Sequence, residues 1–124
     1  MADILLIDDM AGVRRTVLTM LKRAGHDVTA VDNGAEGLDM LRTRRFNLVI
    51  TDMLMPGTDG ADVLSYLDSV TNRPLVIAMS GGGAGLSATS ALGLARIKAD
   101  AFLEKPFESA ELLTAVNKLL GKAA

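Results

Sequence analysis

The residues with chemical potential in this chain stand at the ends of short apolar runs. Ile4-Leu5-Leu6-Ile7 runs into Asp8-Asp9, and Leu48-Val49-Ile50 into Thr51-Asp52. Leu75 to Met79 runs into Ser80, and Ala101-Phe102-Leu103 into Glu104-Lys105-Pro106. If those runs lie parallel, their ends bring three carboxylates, a hydroxyl and an ammonium into one small pocket. Clustered carboxylates repel and call for a cation, and hard oxygen ligands with room for water suit magnesium. A lysine facing them is a point charge suited to a phosphate or a carboxylate.

The elements that must position these residues follow from apolar periodicity. Short, nearly continuous apolar runs are the mark of strands buried on both faces, as in parallel sheets. Val28 to Val31 alternates less cleanly and reads as an edge strand. Between the runs the spacing is helical. Val13, Val17, Met20, Leu21 and Ala24 form a first helix that Gly25 stops. Asn33 caps a second, carrying Leu38 and Leu41. Val63, Leu64 and Leu67 mark a third, residues between Ser87 and Lys98 a fourth, and Leu112, Leu113, Val116, Leu119 and Leu120 a fifth. Five βα units in one domain, residues 1–124, predict an α/β fold with a doubly wound parallel sheet. In such sheets the ligand site lies beyond the carboxyl ends of the strands.

Composition narrows the function. The chain has 124 residues, 49% hydrophobic and 23% charged, with no cysteine, so disulfides and thiolate chemistry are excluded. A formal charge of −2 and a pI of about 5.3 give no basic stripe for nucleic acid. Mean hydropathy is +0.30, yet the longest apolar stretch, Leu75 to Met79, falls far short of the roughly 20 residues of a membrane span. Met1-Ala2-Asp3 lacks the basic start of a secretory signal, so a cytoplasmic location is expected, with no membrane partner. His26, beside Gly25 in a polar turn, reads as exposed, the seven methionines mostly as core, and Asp32 and Asp59 as cap or turn residues.

Taken together, the strand-end residues resemble those of the receiver domains of bacterial two-component response regulators. The matching pieces are Asp8-Asp9, the run Asp52-Met53-Leu54-Met55-Pro56-Gly57-Thr58-Asp59-Gly60, Ser80, and Lys105-Pro106-Phe107. The resemblance spans essentially the whole chain and implies a flavodoxin-like strand order, 2-1-3-4-5, with five helices. It implies that Asp52 accepts a phosphoryl group from a histidine kinase or a histidine phosphotransfer protein, and that the chain is a phosphoacceptor rather than an enzyme. It implies Mg2+ held directly by Asp9, Asp52 and the backbone carbonyl of Leu54, with Asp8 reaching it through water. Lys105 and Ser80 would contact the phosphoryl oxygens, Pro56 would shape the turn after the acceptor strand, and Phe102 would be a switch aromatic. The downstream target is expected to be a protein, docking on the face formed by the fourth helix, fifth strand and fifth helix. On that fourth helix Ala88, Ala91 and Ala95 form an outward stripe.

The chain also departs from the family pattern. The segment from Ser80 to Lys105 is a few residues longer than the family pattern leads one to expect, and Gly81 stands where many receivers carry a small side chain. Leu54 and Gly82 offer no group to orient an attacking water, so slow self-dephosphorylation is expected. Two rival readings deserve statement. Gly83-Ala84-Gly85-Leu86-Ser87-Ala88 fits GxGxxA, a dinucleotide-binding turn. That turn belongs to a first βα unit, whereas three units precede this one. The other rival is a receiver fold serving only as a phosphorylation-independent interaction module; retention of every ionisable partner argues against it.

Overall fold

A computed structural model describes residues 2–53, 60–81 and 99–123. In chain order the elements are β1 (Asp3–Ile7), α1 (Ala11–Arg23), β2 (Asp27–Val31), α2 (Gly34–Thr43), β3 (Leu48–Asp52), α3 (Gly60–Asp68), β4 (Leu75–Gly81), β5 (Ala101–Lys105) and α4 (Ser109–Ala123). The five strands form one parallel sheet in the order β2-β1-β3-β4-β5, as expected for a doubly wound fold. Of the five expected helices, the one between Ser87 and Lys98 lies outside the described residues, and α4 is the last of the set.

The continuous apolar runs are explained by burial on both faces of the sheet. Alternate residues of each strand enter different layers. Leu5, Ile7, Val49, Val76 and Ala78 pack with Val63, Leu64 and Leu67 of α3 and with Phe46. Ile4, Leu6, Leu48, Ile50, Ile77, Met79 and Leu103 pack with Val17 and Leu21 of α1 and with Leu112, Val116 and Leu119 of α4. β2 lies at one end of the strand order and is only partly buried, in line with its weaker pattern.

Local signals set the helix ends. Asn33 Oδ1 accepts from the Glu36 amide at 2.8 Å, capping α2. Gly25, at φ 93°, follows the C-cap of α1 in the left-handed region that suits glycine. His26 corrects its expectation: it is half-buried, and its Nδ1 accepts from the Ala2 amide at 3.3 Å. Among the described methionines the exception to the core reading is Met10, which is 54% exposed.

Gly37 fixes how closely α2 approaches the sheet. A Cβ there would overlap Ile7 Cδ1 and lie 3.0 Å from Ile7 Cγ1, and Ile7 is fully buried. Replacing Gly37 with alanine gains up to about 1 kcal/mol of helix propensity against an overpacking cost of about 1–3 kcal/mol. We expect Gly37→Ala to lower stability by about 1 kcal/mol in denaturant titration. Ile7→Val removes the obstructing methyl, so Gly37→Ala should be neutral or stabilising in that background, a coupling that a double-mutant cycle measures.

Candidate functional site

Register carries the chemistry to one place. Ile7 pairs with Thr51, Asp52 with Met79, and Gly81 with Lys105, so the carboxyl ends of β1, β3, β4 and β5 lie side by side. Asp8 follows β1 directly. Its backbone amide donates to the Val31 carbonyl at 3.2 Å, continuing the pairing with β2 by one residue. Its Oδ1 accepts from the Met10 amide at 2.9 Å, a local turn that an Asp two residues ahead of a free amide favours. Arg14, on the first turn of α1, donates from Nη1 to the Asp8 carbonyl at 2.9 Å. Neither tie was anticipated; the Asp8–Met10 spacing held a signal for the first, while the second needs the helix placed.

Asp8 and Asp52 are both buried, and Asp9 is exposed at the pocket mouth. Each offers a carboxylate oxygen within 4.8 Å of the others. Lys105 Nζ donates to Asp8 Oδ2 and to Asp52 Oδ2, each at 2.9 Å. Its side chain is only 12% exposed, so this is a bridge across partly dry ground rather than a surface ion pair. Burial by itself lowers the Lys105 pKa, because leaving water penalises the charged form. The two hydrogen bonds and the two carboxylate charges outweigh that effect and hold it above the ordinary lysine value of 10.5. Lys105 is therefore an ammonium at neutral pH.

One ammonium against three carboxylates leaves the pocket negative. Asp9 has no hydrogen bond or ion pair among the described residues. Opposite ligands of octahedral magnesium stand about 4 Å apart, so an all-oxygen set of this spread fits that ion with small side-chain adjustments. Of the other expected site residues, Ser80 is the penultimate residue of β4, opposite Glu104, which extends that strand beyond its apolar run. Phe102 lies half-buried on β5 against the α3-side layer. Leu54, Pro56, Asp59, the Gly83–Ala88 motif and the alanine stripe lie outside the described residues. The peptide bond between Lys105 and Pro106 is cis.

Residues 4–117 match the family model for the response regulator receiver domain. The chain belongs to that family. The receiver is 32% identical over its full length to a CpxR homologue, a transcriptional regulatory protein of Haemophilus influenzae, covering 52% of it. It is 32% identical to the transcriptional regulatory protein FixJ of Bradyrhizobium diazoefficiens, with 97% of this chain and 57% of FixJ aligned. The receiver thus spans about half the length of the curated relatives it matches. Among solved structures it superposes on the receiver domain of the Francisella response regulator 1452 with a TM-score of 0.85, 26% identity and complete coverage of both chains. A receiver domain protein from Clostridium thermocellum gives a TM-score of 0.86 at 28% identity, with 99% of this chain and 97% of that one aligned.

Two stability measurements test the pocket. Magnesium at about a hundredfold excess over its dissociation constant should stabilise the wild-type receiver by about 2.7 kcal/mol. Asp9→Asn should stabilise the metal-free protein, by removing an unpaired carboxylate, and abolish most of that magnesium response. Denaturant titrations with magnesium and with chelator check both.

The second concerns Lys105. The folded state holds its proton more tightly than the unfolded one, so its stabilisation is complete below pH 10.5 and is lost as pH rises through the raised folded value. Lys105→Met should cost about 3 kcal/mol at neutral pH without metal, because it removes the ammonium that bridges two buried carboxylates. The gap between wild type and variant should stay constant to about pH 10 and narrow above it, as the ordinary lysine pKa marks the onset. A flat gap through that range would show that Lys105 contributes through packing alone.

Proposed function

We propose that this receiver is the phosphoacceptor of a two-component or phosphorelay system, with Asp52 as the acceptor. The observation that carries the reading is the Lys105 ammonium held 2.9 Å from both Asp8 and Asp52 beside Asp9. Phosphoryl transfer asks little covalent work of a protein; it asks for positioning and for neutralisation of charge on the phosphoryl oxygens. An Asp52 carboxylate oxygen attacks phosphorus, the new acyl-phosphate bond forms, and the bond to the donor histidine breaks. Its electron pair returns to the imidazole nitrogen. Lys105 exchanges its bond to Asp52 for one to an incoming phosphoryl oxygen and keeps its proton throughout. Asp8 anchors that ammonium, itself fixed by the Met10 amide. A magnesium ion held by Asp8, Asp9 and Asp52, with the Leu54 carbonyl, would supply the remaining positive charge at the equatorial oxygens. In this role the receiver carries the phosphoryl group on itself instead of turning over a free substrate.

The donor is proposed to be a protein, a histidine kinase or a phosphotransfer protein. Beside the pocket a largely apolar cleft of about 440 Å³ runs along Met10, Val13, Met20 and Phe107 and borders Lys105. A partner delivering a phosphohistidine to Asp52 must cover this ground, and the exposed Met10 gives it apolar surface to bury. The output is proposed as protein contact on the face that includes β5 and α4, in the cytoplasm. Among the described residues no helix is long and apolar enough to cross a membrane.

A small phosphodonor with magnesium should add one phosphoryl group, which hydroxylamine removes. Asp52→Asn should abolish the adduct, read as intact mass, and Lys105→Met should slow its formation by roughly 10²-fold or more, as for loss of one charge-stabilising donor. Undiminished labelling of Asp52→Asn would overturn the assignment.

A further inference from the structure

At the end of the sheet opposite Asp52, the segments leading into β3 and β4 enclose a polar cleft of about 620 Å³. Arg42, Arg44 and Arg45 line it together with Tyr66, Thr71 and Asn72. None of these residues takes part in the phosphoacceptor pocket. We infer that the cleft is a second binding site, for a compact small molecule carrying two or more phosphate groups.

Charge and preorganisation both point that way. The Arg42 guanidinium lies over the Tyr66 ring at 5.5 Å, and Arg44 over Phe46 at 5.0 Å. Stacking holds these long side chains in place and leaves their N–H edges available, the geometry with which arginine grips phosphate in pairs of hydrogen bonds. Arg44 uses one N–H on Thr29 Oγ1 at 3.1 Å, and Arg42 one on Asp39 at a long 3.5 Å. Each guanidinium has five N–H donors, so most remain unspent. Arg45 has no partner among the described residues. Opposing them are Asp3, which lines the same cleft, and the Asp39 carboxylate at its rim. Three cations outnumber these two anions, and an anionic ligand relieves the mutual repulsion of the arginines. The volume falls in the range of about 300–1,000 Å³ typical of small-molecule sites. A compact cleft of that size suits a polyphosphate group better than an extended acidic peptide, which needs a groove.

The test uses the intact chain in chelator, so that the acidic pocket cannot recruit a metal-bound phosphate. Inorganic tripolyphosphate is titrated while backbone amide resonances are followed. Saturable shifts should appear at Arg44, Arg45, Asn47 and Asn72 and leave Asp8 and Asp52 unmoved. Arg45 makes no hydrogen bond or ion pair among the described residues, and Arg45→Glu should weaken binding about tenfold or more, the loss expected for one charge-assisted contact. That variant should still accept a phosphoryl group on Asp52 at the wild-type rate. Shifts confined to the Asp8–Asp52 end, wild-type affinity in Arg45→Glu, or absence of saturation would overturn the inference. Tighter binding of a glutamate-rich peptide than of tripolyphosphate would also overturn it, by assigning the cleft to an acidic protein segment. A receiver that fails to phosphorylate at Asp52 leaves the cleft result standing, since the two sites share no residue.

Discussion

Two carboxylates, Asp8 and Asp52, stand buried at the ends of adjacent strands, where they repel each other and have lost most of their water. Only a cation can make that arrangement tolerable, and Lys105 supplies it with one ammonium shared between them at 2.9 Å. The bridge fixes more than two side chains. β5 is separated from β3 by β4, roughly 10 Å at ordinary strand spacing, so Lys105 must reach over β4 to close it. Its register partner there is Gly81, a residue without a side chain. The whole sheet order is thereby tied to the chemistry of one pocket.

The same arrangement underlies the proposed phosphoryl transfer. A buried ion pair is a poor source of stability, because desolvation offsets much of the attraction. What it provides here is position: an ammonium already placed, already charged, and bonded to both buried carboxylates. With Asp9 added, three carboxylates face one ammonium, a donor set that could hold a divalent cation. Stability given up locally is supplied by the two apolar layers on either face of the sheet.

The two ends of the sheet gather different side chains. The carboxyl ends bring together Asp8, Asp9 and Asp52 around Lys105, while the amino ends lie beside Arg42, Arg44 and Arg45, with Asp3 among them. In that cleft Arg42 and Arg44 rest over the rings of Tyr66 and Phe46.

Much of this was legible in the order of residues. Period-free apolar runs ending in Asp8-Asp9, Asp52 and Lys105 specify buried parallel strands and the carboxyl-end pocket, because burial on both faces leaves polar residues nowhere else to go. Asn33 and Gly25 mark helix ends through purely local hydrogen bonding and backbone freedom. What only the tertiary structure decided are the relations that no local rule contains. They include the sharing of Lys105 between Asp8 and Asp52, the Arg14 tie to the Asp8 carbonyl and the half-burial of His26 against Ala2. To these it adds the gathering of three arginines with Tyr66 and Asn72 from separate helices and loops into one cleft. Each joins residues distant in sequence or on different elements, so its geometry exists only once the sheet has set strand order and register.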